Sequence, residues 1–366
     1  MTSAYMAQAL AEADRALGWS SPNPAVGAVV VQGGEVVGRG RTQPPGGDHA
    51  EIGALHEAGA RAAGATMYVT LEPCGHHGRT PPCTDALLRA GVAAVRYAIA
   101  DPDPLVAGDG HRQLAAAGVA VEAGDGDAEA SELLEGYLTH RRTGLPFVIA
   151  KFASTLDGRI AAASGDARWV SGPEARAWAH DQRARIDAIL VGSNTVLQDD
   201  PQLSARPADR PGPVHQPWRV VVDSTGRVPA TAAVLRSGDR PALVATTAAA
   251  PPAWRAELTR AGAELVELPA DAGRVDLAAL LAALGARGVL TLLVEGGGTL
   301  LGTLFDRRLV QRVHAVIAPL IVGDAAAPPA VAGRGAHAIA EAAQLRDVRS
   351  WRLGDDVLVN GLVDWS

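Results

Sequence analysis

Both cysteines of this 366-residue chain, Cys74 and Cys83, fall inside one stretch that begins at His49. It reads His49-Ala50-Glu51, then Glu72-Pro73-Cys74, then His76 and His77, and closes with Pro81-Pro82-Cys83. One imidazole and two thiolates are donors that zinc takes in a tetrahedron, and a catalytic zinc keeps its fourth position for water. Glu51 is then the proton carrier, accepting a proton from the water and returning it to a leaving group. A structural zinc would be closed by a fourth protein ligand and would have no use for Glu51. A buried pair of free cysteines is the bland alternative. The expectation is one Zn2+ per chain on His49, Cys74 and Cys83, with Glu51 catalytic, so the fold must bring three separated segments to one point.

A His-x-Glu segment followed by Pro-Cys and a second Cys is the arrangement of zinc nucleobase deaminases. Their signature has two residues between the cysteines, whereas eight separate Cys74 from Cys83. The insert is informative. Glu72-Pro73-Cys74-Gly75-His76-His77-Gly78-Arg79-Thr80-Pro81-Pro82-Cys83 closely resembles the segment typical of the bifunctional riboflavin-biosynthesis deaminase/reductase family. Ser21-Pro22-Asn23-Pro24-Ala25-Val26-Gly27 and Asp101-Pro102-Asp103-Pro104 also look like that family. The resemblance implies an N-terminal cytidine-deaminase-like three-layer α/β/α domain acting on a phosphorylated pyrimidine. It assigns substrate contacts to Asn23, His76, Arg79 and Asp101, while His77 reads as structural. Two positions depart from the family: Thr42 stands where a His is common, and Asp103 where Asn is often found.

Length alone sets a prior of two domains, each long enough to bury its own core. The net charge of −7 argues against a nucleic-acid groove, which needs a basic surface. Two cysteines in one shared motif imply a reducing, cytoplasmic setting with no disulfide framework. Glu12, Asp14 and Arg15 lie inside an amphipathic pattern, which is no signal peptide. The most apolar stretch, 277–294, is broken by Gly285, Arg287 and Gly288, so no membrane span is expected. The sequence leaves a homo-oligomer open.

Met6, Leu10, Ala13 and Leu17 define the apolar face of a first helix. Strands are expected over 25–31 and 35–39, with Gln32-Gly33-Gly34 as their turn. A helix over 49–59 would carry His49 and Glu51 in its first turn, where the dipole favours a neutral imidazole and an ionised carboxylate. A strand over 66–71 delivers Cys74, and a short helix over 84–90 starts at Cys83, where a thiolate is favoured. A strand over 92–100 and a last helix over 127–142 complete the first domain, residues 1–145. Arg141-Arg142-Thr143-Gly144-Leu145-Pro146 is the linker.

The second domain, residues 146–366, opens with a strand over 147–152. Ser171-Gly172-Pro173-Glu174 reads as a capping box for a helix ending near Ala184. Further strands are expected over 186–191, 218–222, 242–246, 264–268, 289–295, 312–317 and 356–362, with helices between several of them. Val294-Glu295-Gly296-Gly297-Gly298-Thr299-Leu300-Leu301 is a strand, a glycine turn and a helix start, which can cradle a phosphate or pyrophosphate. It is not the spaced dinucleotide fingerprint. Together with 151–159 and 193–201 it resembles the reductase half of the same family.

That half implies a dihydrofolate-reductase-like α/β fold with NADPH along the edge of its sheet. The resemblance assigns cofactor contacts to Ala153, Trp169, Thr195, Asp199, Ser224 and 296–301, namely Gly296, Gly297, Gly298, Thr299, Leu300 and Leu301. Ser224 and Arg227 are the expected 2′-phosphate contacts. Arg183, Leu203, Arg206 and Glu295 are assigned to the substrate, and Asp199 is the catalytic helper. Ala167 stands where a Ser is often found. The alternatives are a single-activity deaminase with a degenerate second half and a non-catalytic zinc-stabilised binding module.

Overall fold

The structure, a computed structural model, describes residues 2–76, 81–103, 107–208 and 213–365. Two compact units divide it, Met1–Gly144 and Leu145–Ser366. The first runs α1 (Ala4–Asp14), β1 (Gly27–Gln32), β2 (Glu35–Arg41), α2 (Ala50–Ala58), β3 (Thr66–Leu71), α3 (Cys83–Ala90), β4 (Ala94–Ile99), α4 (Asp109–Ala116), β5 (Ala120–Ala123), α5 (Asp127–Leu133) and α6 (Glu135–Thr143). Its five-stranded sheet has the order β2-β1-β3-β4-β5. The β1–β2 hairpin turns at Gly33 and Gly34, both at positive φ, as the two-glycine turn predicts.

Glycines set how closely helices approach this sheet. A Cβ on Gly27 would fall on the Ala9 carbonyl of α1, and one on Gly40 on the Ala50 carbonyl of α2. Gly40 pairs with Ala28, the residue after Gly27, and successive strand residues face opposite sides. The two helices therefore cover opposite faces of the sheet, giving the three layers. The close approach also changes which residues are buried. The α1 face is Met6, Ala9 and Ala13, with Ala16 just beyond, whereas Leu10 and Leu17 are only half-buried. Small side chains fill a contact this short, so the expected leucine stripe is displaced.

Three local expectations are corrected. His49 is the N-cap of α2, outside its first turn, while Glu51 is inside it. The helix expected over 127–142 is two helices, broken at the buried Leu134. The strand β5 was not expected, because as an edge strand it is largely exposed and shows no apolar alternation.

The second unit runs β6 (Phe147–Thr155), α7 (Pro173–Arg183), β7 (Ala188–Gly192), α8 (Ser193–Asp199), β8 (Trp218–Val222), α9 (Ala233–Arg236), β9 (Leu243–Thr246), α10 (Pro252–Arg260), β10 (Glu264–Glu267), β11 (Ala270–Asp271), β12 (Arg274–Val275), α11 (Leu277–Gly285), β13 (Thr291–Glu295), α12 (Gly298–Asp306), β14 (Arg312–Ala318), β15 (Gln344–Leu353) and β16 (Asp356–Asp364). Nine strands form one sheet in the order β10-β9-β8-β7-β13-β6-β14-β16-β15. Strands β10 through β14 pair in parallel, and β16 and β15 add antiparallel.

Alternate strand residues feed two cores. Val148, Leu190, Val220, Leu292 and Val294 pack with Leu280 and Leu284 of α11 and Leu301 and Leu304 of α12. Ile149, Ile189, Val191, Val221 and Leu293 pack with Val234 and Leu235 of α9 and Leu258 of α10. Parallel strands buried on both faces read as continuous apolar runs, which is why their positions were legible.

The capping box is not formed: Gly172 caps α7, and its N–H donates to Asp356 at 2.7 Å. That partner is distant in sequence, so no local pattern reveals it. β15 was also missed. Its arginines and exposed residues mark an outer strand of the kind that charge protects from further pairing. Among the described residues no helix is long and apolar enough to cross a membrane.

The Gly40 contact generates a prediction. Gly40→Ala drives a methyl into the Ala50 carbonyl and the α2 backbone, and overpacking of this kind costs about 1–3 kcal/mol, occasionally more. Thermal unfolding and zinc content are expected to fall together. An unchanged melting temperature would mean that α2 is not held by this contact.

Candidate functional site

In the first unit, three separated elements converge. His49 ends the loop before α2, Cys74 follows β3, and Cys83 is the first residue of α3. The Nδ1 atom of His49 lies 3.2 Å from Cys83 Sγ and 3.7 Å from Cys74 Sγ. All three donor atoms lie within 4.8 Å of one another. The Cys83 backbone N–H donates to Cys74 Sγ at 3.4 Å, the interaction that a helix start offers a thiolate. The Cys83 thiol also donates to Cys74. That bond holds Cys74 down at about 4 and raises Cys83 well above its ordinary value. His49 is pushed up to about 8, first by its hydrogen bond to Cys74 and against the effect of burial.

This donor set fits zinc. One imidazole nitrogen and two sulfurs share protons at hydrogen-bond range, and a metal displaces such protons when it binds. Glu51 is 4% exposed beside them, and burial, then the Cys74 charge, raise its carboxyl. A fourth protein ligand is not part of the cluster among the described residues.

The metal cluster opens on a cavity of 330 Å³, lined among others by Asn23, Thr42, His49, Glu51, Cys74, His76, Asp101, Asp103, Tyr137 and Arg141. Asn23, His76 and Asp101, the expected substrate contacts, all line this cavity. Among the described residues His76 Nδ1 is buried without a hydrogen-bond partner, and buried polar atoms of this kind are usually satisfied by a partner or a ligand. Arg79 and His77 lie outside the described residues. Thr42 supplies no imidazole; its hydroxyl accepts from Val26 N–H at 3.1 Å and so joins the end of β2 to the start of β1.

Supporting residues come from elements far along the chain. Tyr137 donates to both carboxylate oxygens of Asp101 at 3.0 Å, and Arg141 lies 3.5 Å from Asp103. Glu72 accepts from the Gly108 and His111 N–H groups, and Gln113 bonds both the Gly75 carbonyl and the Thr84 hydroxyl. Thus α4 braces both ends of the cysteine segment. Sequence spacing carried no signal for Tyr137, Arg141 or Gln113, because a helix face selects them only once it is folded against the sheet.

The second unit holds a larger cavity of 1080 Å³ at the C-terminal ends of β6, β7, β8 and β13. Ala153, Thr195, Asp199, Leu203, Ser224, Glu295 and all of 296–301 line it. Arg183 lines it too, but its guanidinium is engaged: Nε and Nη2 donate to the two oxygens of Glu295 at 2.9 and 2.6 Å. Burial acts to raise the Glu295 carboxyl, yet Arg183 and Lys151 outweigh it and hold it down at about 2. Burial also lowers the Lys151 ammonium. The reading of the sequence passed over Lys151 as a site residue. Its signal was one charge inside the otherwise apolar strand β6.

Two expected residues are elsewhere. Trp169 is 68% exposed, stacks against Arg176 at 4.5 Å and does not line the cavity. Arg206 is exposed, donates to Gln202 at 3.1 Å and likewise does not line it. Asp199 is exposed at the end of α8, with partial burial raising its carboxyl against the pull of Arg168.

The glycine turn brings the start of α12 to the cavity wall. Gly296 has φ +130°, and a Cβ there would lie 2.9 Å from Thr195 Oγ1. A Cβ on Gly298, the first residue of α12, would meet the Pro329 carbonyl. Glycine is therefore required here by close packing against Thr195 and Pro329, and the turn sets the start of α12 at the cavity wall, where helix N–H groups favour an anion.

Together the two units define a zinc-binding nucleobase deaminase joined to an α/β reductase. Residues 1–99 match the model of the cytidine and deoxycytidylate deaminase zinc-binding region, and 146–359 match the RibD C-terminal domain. The chain is 40% identical to the riboflavin biosynthesis protein RibD of Escherichia coli, over 97% of this chain and 98% of that one. It is 37% identical to RibD of Bacillus amyloliquefaciens, over 98% and 95%. The structure of Acinetobacter baumannii RibD superposes with a TM-score of 0.88 at 36% identity, covering 98% of both chains. The deaminase/reductase from Thermotoga maritima gives 0.84 at 30% identity, again covering 98% of both. This chain belongs to the RibD family: it is a bifunctional enzyme with a zinc deaminase domain and a reductase domain whose family implies NADPH.

Replacing Cys83 tests the metal assignment. Cys83→Ser removes a thiolate from the cluster, and zinc per chain measured by atomic emission is expected to drop well below that of the parent. Full zinc occupancy in the variant would exclude Cys83 as a ligand.

Proposed function

We propose that residues 1–145 deaminate 2,5-diamino-6-ribosylamino-4(3H)-pyrimidinone 5′-phosphate and that residues 146–366 reduce its ribosyl group to ribityl. The observation that carries this reading is the convergence of His49, Cys74 and Cys83 beside buried Glu51, in a chain whose other unit lines a cavity with a glycine turn and a helix start. The relatives named for this pathway support the substrate. The single-activity alternative is disfavoured, since the second unit retains a cavity and the reductase family match over 146–359. Free cysteines drawn into a metal cluster support a reducing compartment, the cytoplasm.

In the first reaction His49, Cys74 and Cys83 hold zinc, which when bound polarises water toward hydroxide near neutral pH. Glu51 takes the proton of the attacking water and returns it to the departing ammonia at the carbon bearing the 2-amino group. Asn23, His76 and Asp101 line the space beside Glu51 and orient the base and ribose. Tyr137 fixes the Asp101 carboxylate through its hydroxyl, so that acid is held in one orientation. Arg79 completes the substrate set by resemblance.

In the second reaction a hydride adds at ribose C1′ and a proton at the ring oxygen, opening the sugar; bound NADPH supplies the hydride. Glu295, held as a carboxylate by Arg183 and Lys151, accepts a hydrogen bond from a sugar hydroxyl. Lys151 is a half-buried cation of the cavity, and with Asp199 it holds the proton that the ring oxygen takes up. Leu203 and Ala153 exclude water from the cavity wall. Ser224 and Arg227 face the 2′-phosphate. The contacts that resemblance assigned to Trp169 and Arg206 require movement of those side chains on ligand binding.

Glu51→Gln is expected to keep zinc and to lose ammonia release by about 100- to 10,000-fold, while reduction of supplied deaminated intermediate continues. Lys151→Ala is expected to do the reverse, with deaminated product accumulating. Measuring ammonia release and NADPH consumption on each variant decides the matter; near-normal ammonia release from Glu51→Gln would remove it from the mechanism.

A further inference from the structure

The cavity of the second unit extends sideways along the sheet. Strand order runs β8-β7-β13, so the loop after β8 lies two strand spacings, about 10 Å, from the glycine turn after β13. That loop carries Ser224, Thr225 and Arg227 into the cavity wall. A second loop reaches the same end: the β11–β12 hairpin, which contributes Ala272, Gly273 and Arg274. The two are joined, because the Val275 N–H at the base of the hairpin donates to Ser224 Oγ at 3.0 Å. Ser224 is itself anchored, its carbonyl accepting from Thr247 Oγ1 at 2.7 Å.

The acids at this end are engaged: Asp271, opposite Arg274 in the hairpin, pairs with Arg307. Asp223 is fully buried, and its oxygens accept the backbone N–H groups of Gly226, Arg227 and Val228 at 3.1, 2.6 and 2.7 Å. Its charge is consumed in shaping the loop. The carboxylates that line the cavity are Asp199, at the end of α8 after β7, and Glu295, the last residue of β13, neither of them on the loop after β8. Arg227 is oriented by one bond from Nη2 to Asn194 Oδ1 at 3.0 Å, which leaves other donors of its fork open. The Arg274 side chain has no hydrogen-bond or ion-pair partner among the described residues, yet it lines the cavity.

A dinucleotide whose ribose carries a free 2′-hydroxyl is usually met by an acid, whereas a 2′-phosphate is met by arginine. Guanidinium groups bind phosphate oxygens through paired, charge-assisted bonds. We infer that Arg274, held in place by the Ser224 brace under its hairpin, is the second arginine of a 2′-phosphate site shared with Arg227. Ser224 then acts first as the positioning residue that fixes the hairpin, and its O–H remains free to donate to the same anion. This inference rests on reading the cavity as a dinucleotide site and adds the residue that selects NADPH over NADH.

Calorimetric titration of the full chain with 2′,5′-ADP and with 5′-ADP tests it. Arg274→Ala is expected to weaken 2′,5′-ADP roughly 10- to 100-fold while changing 5′-ADP by less than about twofold. Arg274→Lys keeps the charge without the fork and is expected to fall between. Ser224→Ala retains both arginines and is expected to weaken 2′,5′-ADP selectively by releasing the hairpin. Unchanged 2′,5′-ADP affinity in Arg274→Ala, or an equal loss for 5′-ADP, overturns the inference while the reductase reading stands. A parent protein that binds neither NADPH nor 2′,5′-ADP overturns both.

Discussion

The metal site depends on a contact that contains no metal ligand. Gly40 of β2 lies directly under the α2 backbone, where any Cβ would strike the Ala50 carbonyl, and Gly38 repeats the arrangement under Ala54. The helix can therefore sit on the sheet at backbone distance, and its start is fixed relative to β1 and β3. His49 caps that start and Glu51 lies in its first turn, so one close approach orients both the imidazole and the buried carboxyl beside it. Interiors are packed densely enough that a single added methyl is felt, which makes this spacing a sharp constraint on the chemistry.

The two sites use opposite electrostatic devices. The deaminase site gathers anionic and neutral donors, two sulfurs and a carboxyl, at helix starts and beneath buried surface. Such a cluster invites a divalent cation. The reductase site is balanced internally: Glu295 sits between Arg183 and Lys151, so its charge is compensated before any ligand arrives. Removing one partner of a buried pair leaves the other uncompensated, which ties the shape of this pocket to its charge balance. The glycine turn and the loop after β8 line other parts of the same cavity.

Much of the chain was legible because buried parallel strands write themselves as apolar runs. β3 and β8 fall where the sequence reading put them, and the neighbouring central strands lie within a few residues. The edges were not legible. β5 and β15 carry exposed, partly charged residues, and their pairing is decided by the neighbouring strand rather than by their own pattern. The same distinction separates Ser171 from Asp356: the local capping pattern was present, but a partner brought in by the fold took its place.

The sequence by itself determined the metal cluster, since His49, Cys74 and Cys83 are few, specific residue types whose donor chemistry survives any uncertainty in backbone path. It also marked the glycine turn at 296–298. Only the tertiary structure decided which charged groups are committed to one another. Arg183 meets Glu295, and Tyr137 meets Asp101, while Arg206 and Trp169 stay on the outside. A charged side chain can serve a ligand or a neighbouring residue, and the choice depends on burial and on partners that sequence spacing does not encode.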